Sequence, residues 1–478
     1  MILNFAEYLS TGFKEFLIIN FPFLANLTKN AGFVSSISLD PKDGANNEKQ
    51  YNPFEHRDIA HPNSTFGSIV HLLKACLGSG ILAMPAAFKN AGTAAGIVGT
   101  LLAGFICTHA VHILVKTSQE ACVDARKPCM SFSETVGAAF KYGPKRMRRF
   151  SGFAKQFIDY SLLITYLSVL IVYAVFIGVS IKEVLDVYYP EDNFSVQVYC
   201  MLTLVPLVLI CQIRNLKYLV PFSALANIMI AMVFGVTLYY MFVDLPPISE
   251  REVVASISTW PLFLSTVIFA MEGIGVVMPV ENEMANPKRF LGCPGVLNIS
   301  MVIVISMYCI FGFFGYIKYG DAVKGSITLN LPQDQWVAQL AKLLMALVMF
   351  FSFALQFYVP MEGIQRLMLS KLPEKYTNIV QISIRTVLVS ICVCVAAAFP
   401  NLELVISLVG ALFFSTLGLL VPAIVDTVYN WERNLGKFYY VAIKNFIIAV
   451  IGVITLVSGS YVSIVAIIED LSSNHNDT

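Results

Sequence analysis

Apolar runs long enough to cross a bilayer, separated by short polar connections, recur along most of the chain. A helix needs roughly 20 predominantly apolar residues to traverse the hydrocarbon core. Eleven stretches come up to that length, at about residues 66–88, 93–115, 153–180, 196–212, 218–243, 259–281, 293–317, 336–360, 379–399, 402–425 and 441–468. The pattern predicts an all-α membrane protein with about eleven transmembrane helices, because a helix satisfies its own backbone inside lipid. Residues 1–63 read as a cytosolic, largely disordered tail, 64–470 as the membrane domain and 471–478 as an extracytosolic tail. Phe16 to Leu24 is an apolar run too short to span and fits an interfacial helix.

Composition agrees with this reading. The chain has 478 residues, of which 57% are hydrophobic and 13% charged, too few polar groups to cover a soluble globule of this size. Its net charge of +1 hides an asymmetry. With a cytosolic N-terminus, about eighteen Lys and Arg fall in or beside the inner connections and about five in the outer ones. Lys141, Lys145, Arg146, Arg148 and Arg149 cluster in the second-to-third connection, where they suit anionic membrane lipid. No nucleic-acid motif is present.

The ten cysteines lie in predicted spans or, for Cys122 and Cys129, in an inner connection, so free thiols are expected and no disulfide. Asn193-Phe194-Ser195 is a glycosylation sequon in an outer connection. No cluster has the spacing of a metal site or a catalytic triad, so no metal, cofactor or catalytic residue is expected, and the chain does not read as an enzyme.

The chemistry concentrates at two interrupted spans. In the first, His71 and Lys74 precede Gly78-Ser79-Gly80-Ile81, and Gly67, His71, Lys74, Ala75 and Gly78 fall on one helical stripe opposite Ile69, Leu72 and Cys76. In the sixth, Phe269-Ala270-Met271-Glu272-Gly273-Ile274-Gly275 leads to Pro279. Paired Gly/Pro breaks in corresponding positions of two halves point to a five-plus-five inverted repeat, with the last helix outside it. Unwinding at Gly78 to Ile81 frees N–H groups suited to a carboxylate, and unwinding at Met271 to Gly275 frees carbonyls suited to an ammonium. The competing reading is that these glycines let helices pack closely.

His71-Leu-Leu-Lys74, Gly78-Ser-Gly80-Ile-Leu-Ala-Met-Pro85, Met271-Glu272-Gly273-Ile274-Gly275 and Ile327-Thr-Leu-Asn-Leu-Pro332 together resemble the proton-coupled amino acid transporters of the amino acid/auxin permease family, over about residues 64–468. The resemblance implies an eleven-helix permease that moves small neutral amino acids with protons, and it places the family's proton-coupling histidine at His71. Residues 78–81 and 269, 271–275 are then the expected substrate site. The external disulfide of some members has no cysteines here.

On the residues alone, His71 suits coupling, since an imidazole titrates near neutral pH, or a structural bond. Lys74 requires a carboxylate or carbonyls, with Glu272 the nearest by architecture, or it snorkels to the surface. Tyr160, Tyr166 and Phe269 could shape a side-chain pocket or simply pack. Two other functions stay open: an amino acid sensor that engages a cytosolic signalling partner, and a sodium-coupled transporter. The single Ser352 among aromatics of the eighth span is a poor oxygen shell for sodium. The plasma membrane and the lysosomal or endosomal membrane both fit.

Overall fold

A computed structural model describes residues 51–57, 59, 62–189, 194–214, 216–271, 273–292, 294–367 and 374–476. The run 16–24, Glu272, Asn193 and residues 477–478 therefore lie outside the described residues.

The first span is two helices, α1 (Thr65–Cys76) and α2 (Ser79–Ala91), bent by 51° at Leu77-Gly78. Ser64 caps α1 through the Gly67 N–H. The second span is α3 (Thr93–Ala125), followed by a short helix α4 (Phe132–Tyr142) and the third span α5 (Ser151–Tyr188). The fourth stretch is split into α6 (Val196–Leu202) and α7 (Leu204–Cys211), where Pro206 removes a helical N–H. The fifth span is α8 (Leu216–Phe242), and the sixth is broken into α9 (Trp260–Ala270) and α10 (Ile274–Asn282). The seventh to ninth are α11 (Val296–Tyr319), α12 (Trp336–Leu367) and α13 (Glu374–Ala398). The tenth runs from α14 (Leu402–Val409) through two π-helical turns to α15 (Val421–Asn430), and the last from α16 (Tyr440–Ile454) through one π turn to α17 (Ser460–Asn476).

Among the described residues nine helices are long and apolar enough to cross a membrane, and the bent first pair makes ten. The expected fourth span, Val196–Cys211, is apolar but shorter. Structure extends past the expected borders of the membrane domain on both sides. Helix α17 continues through Asn476, so residues 471–476 are its last turns. Residues before α1 are docked: Asn63 pairs in parallel with Met284 at the end of the sixth span.

The packing carries an internal symmetry. The first span packs on the sixth, the second on the seventh, the third on the eighth and the fourth on the ninth. Other contacts come in exchanged pairs: first–seventh with sixth–second, third–ninth with eighth–fourth, third–tenth with eighth–fifth, and second–tenth with seventh–fifth. A contact pattern preserved when each span is replaced by the one five later is that of an inverted five-plus-five repeat. One exchange fails. Helix α9 of the sixth span packs firmly on α14 of the tenth, while among the described residues its counterparts α1 and α8 have no comparable contact.

Candidate functional site

The two breaks meet at the centre of the bundle. Helix α1 packs on α10, and α2 on α9, so the halves cross in opposite directions. Each helix end carries a partial charge, positive at the N-terminus and negative at the C-terminus. The C-terminus of α9 at Ala270 therefore abuts the N-terminus of α2, and the C-terminus of α1 at Cys76 abuts the N-terminus of α10. Four helix ends, two of each sign, surround one point at membrane depth.

The glycines act differently from one another. A Cβ on Gly80 would lie 2.6 Å from the Ala270 Cα, so at this position the missing side chain is filled by the neighbouring backbone. Close packing, the competing reading from the sequence, is what Gly80 provides. Gly78, in contrast, has nothing within 4 Å of where a Cβ would stand. It begins α2 with no side-chain cap, and its own N–H donates to the Cys76 carbonyl at 2.9 Å. Ser79 and Ile81 are buried in the first turn of α2.

Across the site, Gly273 has an extended φ of −154° and begins α10; its Cβ position lies 3.2 Å from the Cys76 Sγ. A Cβ on Gly275 would collide with the Tyr166 hydroxyl, which brings the third span to the second break. Ile274 opens α10. Phe269 is buried with its ring edge-on to Phe414 at 5.7 Å, and Met271 is buried beside it. Tyr160 is 53% exposed and away from this centre, so of the two tyrosines only Tyr166 reaches a break.

One residue ties the breaks together. Tyr308 of α11 is fully buried, and its hydroxyl lies 2.6 Å from the Cys76 carbonyl oxygen and 2.5 Å from that of Ala270. In the sequence, one tyrosine in an aromatic-rich span carries no distinguishing signal. Its position in the span five after the second, level with both breaks, is the only hint.

The polar stripe of α1 faces outward. Ile69, Leu72 and Cys76 are buried against the bundle, whereas His71 and Lys74 are exposed on the side toward α8. The Lys74 ammonium donates to the Ser223 hydroxyl of α8 at 2.9 Å; Glu272, the partner expected from the sequence, lies outside the described residues.

Below the breaks sits a buried ion pair. Arg57 bonds the Glu281 carboxylate at 3.1 Å, with side-chain exposures of 4% and 2%. Its guanidinium also donates to the Pro128 and Glu281 carbonyls, and Gln119 of α3 donates to the same carboxylate at 2.9 Å. A second polar cluster joins α3, α15 and α16: Asp426 of α15 accepts from Thr117, Asn430 and Asn445, with the Lys444 ammonium at 3.9 Å. Neither cluster was foreseen.

Comparison with known proteins follows this geometry. The family model described as transmembrane amino acid transporter protein matches residues 61–465. The chain is 41% identical over 426 residues to the proton-coupled amino acid transporter-like protein pathetic of Drosophila melanogaster, covering 89% of this chain and 90% of that one. It is 22% identical over 431 residues to the probable amino acid transporter skat-1 of Caenorhabditis elegans, covering 88% and 93%. Among solved structures, the inward-facing conformation of Mhp1 aligns with a TM-score of 0.47 at 11% identity, covering 92% of this chain and 96% of that one. MhsT in complex with L-phenylalanine gives 0.47 at 14%, covering 82% and 98%. With a family match over most of its length and a relative at 41% identity, the chain belongs to the transmembrane amino acid transporter family, the amino acid/auxin permeases.

Proposed function

We propose that the chain is a proton-coupled symporter of small neutral amino acids that works by alternating access. The observation that carries this reading is the convergence of four helix ends of opposite sign at the crossing of two broken spans. An amino acid backbone is a zwitterion whose two charges match the two signs of helix end. Its carboxylate meets the N–H groups from Gly78 to Ile81, and its ammonium meets carbonyls at the ends of α1 and α9 and around Met271 to Gly275. The identity with a relative whose name specifies proton coupling supports protons as the driving ion.

The broken symmetry supports alternating access. With the N-terminus in the cytosol, α9 and α14 lie on the outer side and close it, while α1 and α8 lie on the cytosolic side, bridged by the Lys74–Ser223 bond and, among the described residues, less closely packed. Exposed polar side chains at membrane depth are costly unless water reaches them. His71 and Lys74 are exposed on that side, where an imidazole can exchange its proton with the cytosol. Exchange of the two arrangements, with α9 released and α1 closed, is the transport step. Arg57 and the docked residues before α1 tie the tail to the moving half α10, so a sensor function working through a cytosolic partner of the tail has a mechanical route as well.

Uptake of a labelled panel of amino acids into proteoliposomes, at acidic and neutral external pH and with sodium or choline, tests the proposal. Acid-stimulated uptake without a sodium requirement supports it. Binding without flux would favour the sensor, and sodium dependence would replace the coupling ion.

A further inference from the structure

The eighth span holds an amine that the transport reading leaves unused. Lys342 of α12 is fully buried, and among the described residues its side-chain nitrogen meets no hydrogen-bond partner. A charged group in such a place forfeits its hydration with nothing in return, a loss that a neutral amine largely avoids. With the N-terminus in the cytosol, α12 enters from the outer side, and Lys342 stands about two turns below its outer end at Trp336. The charged groups that act on it are Glu183 of α5 and Lys324 of the outer connection. Helix α8 presents the Tyr240 phenol at this level, bonded to Gln335, while α7 and the Ile327–Asn330 turn bring no charged side chain. Glu183 is engaged elsewhere: its carboxylate accepts from Lys324 at 2.5 Å and from Gln333 at 3.2 Å.

Below Glu183 the same face of α5 carries Ser180, Tyr173 and Tyr166, at spacings of three and seven residues that keep one side of a helix. Ser180 is buried, with its hydroxyl also unpartnered among the described residues, and Tyr166 reaches the second break at Gly275. Helix α12 packs on α5, so a line of hydroxyl groups leads from the level of Lys342 toward the broken spans.

We propose that Lys342, with Glu183 as its counter-ion, takes up the driving proton on the outer side, an inference that rests on the proton-coupled reading above. When the outer side opens, water reaches the amine, which accepts a proton from hydronium and leaves water. The ammonium pairs with Glu183 as Lys324 withdraws. When the outer side closes, the ammonium loses its hydration again and gives the proton to water on the substrate side, along the hydroxyl line of α5. Lys324 then takes Glu183 back. One proton has moved inward, to be released to the cytosol past His71, so the amine and the imidazole serve opposite sides of the membrane.

The test is uptake of labelled L-alanine into proteoliposomes holding the full-length protein, at acidic and neutral external pH, with binding followed by thermal shift. Lys342→Met keeps an unbranched apolar side chain without the amine, and Lys342→Arg is permanently charged. Wild-type uptake is expected to rise on acidification. In both variants uptake at acidic pH should fall to the neutral-pH level while L-alanine still binds. A variant of either kind whose uptake rises with acid as in wild type overturns the proposal, and so does loss of binding and uptake together, the mark of a structural lysine. Should neither variant fold, Glu183→Gln decides: an unchanged pH profile overturns the proposal, and a lost acid response with binding retained upholds it. Wild-type uptake indifferent to pH would instead sink the proton-coupled reading beneath it.

Discussion

Gly80 and Gly78, two residues apart in one motif, do opposite things. At Gly80 any Cβ meets the Ala270 backbone, so Gly80→Ala must push α2 off α9. Overpacking of this kind costs on the order of 1–3 kcal/mol. We expect a lowered thermal unfolding temperature and less folded protein, read by fluorescence-detected size exclusion of heated samples. Gly78→Ala has open space around it. It should change stability by no more than about 0.5 kcal/mol and weaken the substrate-induced thermal shift, since its Cβ enters the space proposed for the carboxylate. A Gly78→Ala variant with an undiminished substrate shift would move the carboxylate elsewhere. The sequence marked both glycines through the motif. It held no information on which one faces a neighbour and which faces a space, because that depends on the sixth span, about 190 residues away.

At the scale of elements, the breaks were legible and the straps were not. Gly-Ser-Gly and Gly-Ile-Gly interrupt apolar runs, a local signal that any helix must obey. The docked segment before α1 carries no periodicity, and its fixation comes from Arg57 reaching Glu281 across 224 positions. Arg57→Ala would strand a carboxylate that is 2% exposed, and truncating one partner of such a pair costs about 3–5 kcal/mol. We expect a large drop in unfolding temperature, substantially recovered when Glu281→Leu is added, as denaturation of the two variants in detergent would register. The connecting helix α4 offers a milder case. Ser131 and Glu134 form a capping box, and Lys127 pairs with the same carboxylate at 3.1 Å. Burial pushes the Glu134 carboxyl up, but the Ser131 N–H and the Lys127 ammonium outweigh it and hold the group below the usual carboxylate range. A lowered pKa stabilises the folded form above the unfolded value, about 4.3, and that contribution fades as pH falls through the lower folded value. Ser131→Ala should cost about 1 kcal/mol at neutral pH.

For the whole molecule, the apolar pattern carried the fold class because lipid leaves a chain few alternatives to helices. The inverted repeat was legible from break chemistry alone, although no residue-level similarity links the halves; what the repeat conserves is which spans touch. The failed exchange between first–fifth and sixth–tenth contacts could not be read from sequence, since it depends on how spans far apart in the chain pack. His71 is exposed on the outward stripe of α1, two turns before the first break. If it carries the driving proton, its loss should separate coupling from recognition, because the proposed substrate cradle is backbone. The deciding measurement is amino acid uptake into proteoliposomes against an imposed pH gradient, by wild type and His71→Ala normalised to folded protein, with substrate binding measured alongside. The account predicts concentrative uptake by wild type, and a His71→Ala variant that binds substrate but no longer concentrates it. A His71→Ala variant that still accumulates amino acid in response to the proton gradient would contradict it.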